Sequence, residues 1–380
     1  MSVVLDFPGA KRSASVRGAV KRCLFVGLGG IGQRHLRNLR ALRGGDVEVH
    51  AFRVRRESQV VSDTLQLVPG EDLESKYDVA VHTDLDAALA KKPDVVFVTN
   101  PSSLHVDITR RALEAGAHVL VEKPLSHSLA GVADLVQQSE QRKLVGYVAY
   151  QLRFHPGFAR AQEILKQGLL GRPLFAEAVV GEYLPNFHPY EDYRRMYASR
   201  RDLGGGVTLS HLHALDFLIA LLGRPERVFS MGGKLSNLEV DVDDVSSSLL
   251  EFRGAEGRVL PVRLHQDFVQ RPAERRFVLV GDAGKLEWSL SGRSLRRWSA
   301  DGELCETQDF SELQRNSLFE AELSHFLGCV ERGQAPNVSL ASGAESLAVA
   351  LAILESQQSG MPVNVGAVLE RAGLLQAGVP

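Results

Sequence analysis

Apolar residues come in short bursts through the first 150 positions. Cys23-Leu24-Phe25-Val26 is followed, across a glycine-rich turn, by Ile31, His35, Leu36, Leu39 and Leu42 at helical spacing. Further strand-like runs fall at 47–53, 77–81, 95–99, 118–122 and 144–149, with helical stretches near 85–90, 105–115 and 129–138 between them. This alternation predicts βαβ units and a parallel sheet. Runs such as Val95-Val96-Phe97-Val98 are apolar without interruption, as in strands covered on both faces.

From about residue 151 the rhythm changes. A helix at 158–166 leads through Gly168 and Gly171-Arg172-Pro173 into an extended run at 175–183. Gly204-Gly205-Gly206 then precedes an apolar helix reaching Ala220-Leu221-Leu222. Alternating runs at 246–252, 258–268, 276–280 and 285–290, joined by hairpin-like turns at 254–257 and 281–284, predict a mostly antiparallel sheet. Helices at 313–331 and 343–357 close the pattern. Four segments are expected: an arm over 1–20, an α/β domain over 21–150, an α+β domain over 151–365 and a tail over 366–380.

Composition narrows the class. With 44% apolar and 24% charged residues in 380, the chain reads as an ordinary soluble globular protein large enough for two domains. A formal charge of -2 gives no pull toward nucleic acid, and no apolar stretch approaches the eighteen or so residues of a membrane span. Cys23, Cys305 and Cys329 lie far apart, without metal-ligand spacing, so reduced thiols in a cytoplasmic setting are expected. The arm carries Lys11, Arg12 and Arg17 but no apolar core, unlike a secretory signal. HExxH, CxxC and P-loop patterns are missing, so neither metal catalysis nor nucleotide triphosphate hydrolysis is expected.

The turn Gly27-Leu28-Gly29-Gly30-Ile31-Gly32 between strand and helix is a dinucleotide-binding pattern. Gly27 permits the tight turn, Gly29 lets backbone approach a pyrophosphate, and Gly32 allows helix to pack on strand. Some twenty residues on, a carboxylate that would read the ribose is expected; Arg53, Arg55 and Arg56 stand there instead. Arginine forks suit a 2′-phosphate, which predicts NADP(H) in preference to NAD(H), with Arg53 and either Arg55 or Arg56 on the phosphate. A solvated basic loop is the alternative. Asn100-Pro101 follows the fourth strand, toward the nicotinamide side. For His105 on the next helix, cofactor contact stands beside capping or packing. Glu122-Lys123-Pro124 lies at the carboxyl end of the fifth strand, the edge where doubly wound sheets bind ligands.

The order of these parts resembles the Gfo/Idh/MocA family of oxidoreductases, from Lys21 to Val363. Five landmarks carry the likeness: Gly27 to Gly32, Asn100-Pro101-Ser102-Ser103-Leu104-His105, Glu122-Lys123-Pro124, Gly204 to Asp216, and Ala344-Glu345-Ser346-Leu347 before Gly360-Met361-Pro362-Val363. The resemblance implies a Rossmann domain followed by an α+β domain with an open-faced sheet, a sugar or cyclitol bound between them, and a homodimer or homotetramer. It also implies that Lys123, in a peptide with Pro124 that is commonly cis, stands between nicotinamide ribose and substrate. There its ammonium would stabilise a developing alkoxide.

In the family a carboxylate precedes a histidine by one helical turn, and the histidine exchanges a proton. His213 and Asp216 match; Ser210 stands where many relatives carry aspartate. Ser210 shares a predicted helix face with His213 and would still hydrogen-bond substrate, without supplying negative charge. Asp216 is left between orienting His213 and capping backbone, and His211 reads as structural or interfacial. Arg153 resembles a family position suited to a substrate carboxylate or phosphate. His155, Tyr183, His188, Tyr190 and Tyr193 are candidates for a sugar-binding wall, because their flat faces end in hydrogen-bonding tips. Arg153-Phe154-His155-Pro156 and the segment His188 to Tyr193 further resemble a branch found among bacterial cell-surface sugar genes. The expected reaction is hydride transfer between nicotinamide and a secondary alcohol or ketone. The alternatives are a cofactor-retaining glycosidase or epimerase, and a non-catalytic ligand-binding relative.

Overall fold

The structure is a computed structural model that describes residues 18–54, 59–254 and 257–375. Its first half runs β1 (Arg22–Val26), α1 (Gly30–Arg43), β2 (Glu48–Phe52), β3 (Gln59–Val61), β4 (Leu67–Asp72), α2 (Leu73–Tyr77), β5 (Val79–His82), α3 (Leu85–Leu89), β6 (Val95–Val98), α4 (His105–Glu114), β7 (His118–Glu122), α5 (Val132–Gln141) and β8 (Gly146–Ala149). Six of these strands form one parallel sheet in the order β5-β2-β1-β6-β7-β8.

The uninterrupted apolar runs have the meaning expected of them. Leu24, Val26, Val96, Val98, Val119 and Val121 face the layer holding Ile108, Ala112 and Leu135 from α4 and α5. The alternate residues Cys23, Phe25, Val95, Phe97 and Leu120 face the opposite layer, with Leu36 and Leu39 of α1. Each fully buried Val or Leu contributes about 1.5–3 kcal/mol of apolar transfer, so no strand position in this run tolerates a charge.

Two features were not legible in the pattern. β3 and β4 form a separate antiparallel ribbon, held to α1 by the Gln33 amide, which donates to the Leu28 and Gln59 carbonyls and accepts from the Val61 N–H at 2.7 Å. Tyr77, expected to open a strand, instead ends α2.

The second half runs α6 (Pro156–Lys166), β9 (Pro173–Gly181), α7 (Val207–Ser210), α8 (Leu212–Leu222), β10 (Arg227–Gly233), β11 (Val245–Arg253), β12 (Val259–Asp267), β13 (Glu274–Gly281), β14 (Gly284–Ser289), β15 (Ser294–Ser299), β16 (Leu304–Asp309), α9 (Arg315–Arg332), α10 (Leu340–Ser359), β17 (Val363–Asn364) and α11 (Val365–Arg371). Its nine-stranded sheet, ordered β16-β15-β14-β13-β9-β12-β11-β10-β17, is antiparallel except where β9 lies parallel to β12. One face is buried beneath α8 and α10. The other carries exposed Phe229, Met231, Leu249 and Val259.

The domain boundary is not respected in space. Phe326 of α9 packs edge-on against Phe97 of β6 and Tyr147 of β8, so a helix from the chain's last quarter completes the first domain's core. Part of the expected tail is ordered too: α11 buries Val365, Val368 and Leu369.

Candidate active site

The parallel sheet reverses its order between β1 and β6, and the crevice beyond their carboxyl ends is where such sheets bind ligands. The glycine turn leaves β1 there with Gly27 at φ 93°. A Cβ on Gly32 would sit 2.5 Å from the Gly27 carbonyl oxygen and 2.8 Å from Thr99 Oγ1, whereas one on Gly29 would meet nothing within 4 Å. Gly32 is therefore a packing requirement, and Gly29 presents bare backbone to the cleft. Asn100, across from the turn, has both amide atoms buried without a protein partner. Unpartnered polar atoms beside a bare helix start fit a dinucleotide phosphate and ribose.

The cleft continues from this turn to the second domain's sheet, with a volume of about 800 Å³. Among the residues singled out from the sequence it brings together Gly27, Gly29, Gly30, Ile31, Arg53, Asn100, Pro101, His105, Glu122, Lys123, His188, Tyr190, Ser210 and His213. Arg53 borders it beside Glu74, 3.6 Å away, while Arg55 and Arg56 lie outside the described residues. The ring nitrogens of buried His105 lie 2.9 Å from the Pro124 carbonyl and 2.8 Å from the Asn100 carbonyl. This histidine clamps two site loops together.

Lys123 is held from both sides. Its peptide to Pro124 is cis. Its N–H donates to Glu122 Oε2 at 3.2 Å, while Glu122 Oε1 lies 2.8 Å from Nε2 of buried His35. Its Nζ donates to the Ser210 carbonyl at 2.9 Å.

That carbonyl is free because the helix after the glycine triplet is broken. The segments 201–210 and 212–222 meet at 49°. At the break the Ala214 N–H bonds to the His211 carbonyl, so it does not continue the ladder to Ser210. Gln266 also donates to the His211 carbonyl, at 3.2 Å. The single helix face expected for Ser210 and His213 is thus replaced by two helix ends, both at the cleft. Ser210 Oγ and His213 Nδ1 are buried without partners among the described residues. Burial first, then the charges of Lys123, Arg275 and Arg315, hold the His213 imidazole well below its ordinary pKa. At neutral pH the ring is uncharged and able to accept a proton.

The triplet itself has a steric reason. A Cβ on Gly205 would lie 2.3 Å from the Tyr197 carbonyl oxygen and 2.6 Å from that of Ala198, so only glycine fits between that turn and α7.

Several expected substrate contacts are engaged elsewhere. Arg153 forms a bidentate pair with Asp216, Nε to Oδ2 at 2.6 Å and Nη2 to Oδ1 at 2.9 Å, and does not border the cleft. Asp216 accordingly orients Arg153 rather than His213. His155 caps α6 through the Gly157 N–H and packs on Trp288, and desolvation by burial pushes its pKa down to about 4. Tyr183 lies under Arg271, and Tyr193 accepts from the Glu239 N–H. Tyr190 leans over the glycine turn, its hydroxyl 2.8 Å from where a Gly30 Cβ would stand. Burial raises its pKa to about 12. Sequence reading missed Glu182, Arg195, Arg275 and Arg315, which border the cleft from loops and elements remote in the chain. No local pattern marks them.

A Rossmann crevice that offers a fixed ammonium and a neutral imidazole at its mouth defines a nicotinamide-dependent oxidoreductase. Residues 21–150 match the family model described as an oxidoreductase family with an NAD-binding Rossmann fold, and residues 158–287 match the GFO/IDH/MocA C-terminal domain. The chain belongs to the GFO/IDH/MocA oxidoreductase family. It is 24% identical to scyllo-inositol 2-dehydrogenase (NAD(+)) of Bacillus subtilis (strain 168), over 90% of this chain and 96% of that protein. It is 26% identical to 1,5-anhydro-D-fructose reductase of Ensifer adhaerens, over 72% and 80%. The fold matches the WlbA dehydrogenase from Bordetella pertussis, solved with NADH and UDP-GlcNAcA, at a TM-score of 0.73 and 20% identity over 92% of this chain and 99% of that one. Levoglucosan dehydrogenase, solved with NADH and levoglucosan, matches at 0.74 and 18% identity over 91% and 99%.

Proposed function

We propose that this protein oxidises a secondary alcohol of a sugar, amino sugar or cyclitol, or reduces the matching ketone, with NADP(H) preferred over NAD(H). The observation that carries the reading is the convergence of Lys123 and His213 on one cleft at the sheet's switch point. The names of the inositol dehydrogenase and anhydrofructose reductase relatives support the substrate class.

Bound nicotinamide would exchange hydride with the carbinol carbon. The protein's own part is to orient the hydroxyl and handle its proton. Lys123, fixed by the Ser210 carbonyl, places its remaining N–H bonds on the substrate oxygen and stabilises negative charge there. His213 takes the hydroxyl proton in oxidation and returns it in reduction. Ser210 Oγ, buried and unpartnered, is available to the same hydroxyl. The Gly27–Gly32 turn, Asn100 and Pro101 hold the dinucleotide. Arg53 favours a 2′-phosphate because an arginine rather than a carboxylate stands directly after β2. Exposed Phe229, Met231, Leu249 and Val259 on the open sheet face support self-association as a dimer or tetramer.

Titration of the cofactor-stripped protein with NADPH and NADH, following nicotinamide fluorescence, tests the reading. Tighter NADPH binding that Arg53→Asp reverses is expected. Equal binding of both sinks the NADP preference, and binding of neither sinks the dehydrogenase assignment.

A further inference from the structure

The chemistry assigned to Lys123 and His213 leaves much of the cleft's positive charge unused. Arg315, the first residue of α9, borders the cleft with an exposed side chain and, among the described residues, makes no ion pair or side-chain hydrogen bond. Arg195 borders the same space, also exposed and with no acid bonded to its side chain among the described residues. Arg275, on β13, completes the wall and bonds to Glu182.

The acids of this cleft are already committed. Glu122 is taken by His35 and the Lys123 N–H, Glu182 by Arg275, and Glu191 by His188 at 2.6 Å. Among the described residues no acid is bonded to Arg315 or Arg195, although Glu182 acts on Arg315 and Asp192 on Arg195 from a distance. Arg315 also stands at the positive end of the α9 macrodipole, whose first turn holds no acidic residue, so its charge is unfavourable there until an anion arrives. Arg275 and Arg315 both act on the His213 ring, and desolvation first, then Arg275, depress the Arg315 guanidinium against the opposing charge of Glu182. The cluster therefore lies around the reacting hydroxyl's base.

We infer that the substrate is an anionic sugar whose carboxylate or phosphate is seated by Arg315 and Arg275 while its hydroxyl meets Lys123 and His213. The inference rests on the dehydrogenase reading and narrows its substrate class. Planar guanidinium forks recognise both anions bidentately. Arg153, which the sequence suggested for this task, is held bidentately by Asp216 outside the cleft, whereas Arg315 and Arg275 border it, Arg275 bonding Glu182 through Nη2 alone. A cofactor diphosphate is the other source of phosphate for Arg315. Arg275 argues against it, because it belongs to the second domain's sheet, whereas the bare glycine turn and helix start of the first domain already provide a diphosphate seat.

Calorimetric titration of the NADPH-loaded protein with D-glucuronate, D-glucose 6-phosphate and D-glucose separates the possibilities, in wild type, Arg315→Gln and Arg315→Lys. At least one anionic probe is expected to bind tenfold or more tighter than glucose. Arg315→Gln should cut that preference about tenfold, Arg315→Lys should restore part of it, and NADPH affinity should stay within threefold, which also shows that the variants are folded. The proposal is overturned if no anionic probe outbinds glucose in wild type, or if the preference survives Arg315→Gln. It is equally overturned if that variant weakens NADPH tenfold and leaves the sugars unchanged, since Arg315 would then serve the cofactor. Failure of wild type to bind either NADPH or NADH is a separate result, and removes the dehydrogenase reading along with this one.

Discussion

Lys123 Nζ donates to the backbone carbonyl of Ser210 across the interface between the two domains, at 2.9 Å. The bond exists because the helix breaks at His211 and the Ala214 N–H turns to the His211 carbonyl, leaving the Ser210 carbonyl without a helical partner. Lys123 is thereby aimed by backbone at the position where the family resemblance pointed to an aspartate side chain.

Backbone tethering makes the two residues unequal under mutation. Lys123→Met should lower kcat/KM by on the order of 10²–10³, as for loss of one charge-stabilising donor. Ser210→Ala keeps the carbonyl and should cost no more than about tenfold, the scale of a single neutral hydrogen bond. Steady-state kinetics of both variants decide; a collapse in Ser210→Ala as deep as that in Lys123→Met would show that the hydroxyl, not the carbonyl, is the working group.

The His213 environment fixes the direction of a pH effect. Burial and nearby Lys123, Arg275 and Arg315 penalise the imidazolium, so its pKa lies well below 6.5 and the base form persists into mild acid. For alcohol oxidation kcat/KM should be flat from neutral pH downward, and fall only below the ordinary imidazole range. His213→Ala should lose about 10²–10⁴ of kcat and abolish that acid limb. A wild-type inflection at or above 6.5 would contradict the assignment.

Arg153 should behave as a structural residue. Its partner Asp216 is 2% exposed, so Arg153→Met would strand a buried carboxylate at a cost of about 3–5 kcal/mol. Urea unfolding should show that loss, while Arg153→Met/Asp216→Leu should recover most of it. An unchanged midpoint with a raised sugar KM would return Arg153 to the substrate.

Glu322 gives a stability signature of its own. It is fully buried in α9, and desolvation, then the charge of Glu122, raise its pKa well above 4.5, with a backbone bond from Tyr150 only partly offsetting them. Since the unfolded chain releases this proton near its ordinary pKa and the native state retains it, stability falls as pH rises between the two values. The slope is about 1.4 kcal/mol per pH unit for one such group. Glu322→Gln removes the group, so its advantage over wild type should grow from pH 5 toward pH 8 in parallel urea titrations. A pH-independent difference would mean that the native carboxyl is ionised.

Much of the fold was legible because its signals are local. The period and length of apolar runs marked the parallel strands, and β7 runs over the very residues that the pattern gave, His118–Glu122. The ribbon β3–β4 escaped notice because its strands are short, β4 is largely exposed, and it is held by side chains of another element, the Gln33 amide and the Arg37 guanidinium of α1.

The sequence by itself determined the glycine turn, the lysine at the end of β7 and the histidine beyond the glycine triplet, since each depends on neighbours within a few residues. Tertiary structure alone decided the rest. It turned Arg153 onto Asp216, broke the helix at His211, and carried α9 across to the first domain so that Arg315 faces the cleft. A side chain's role there follows from which charge or carbonyl lies within about 3 Å, the reach of a hydrogen bond, and folding sets that distance between residues tens to hundreds of positions apart.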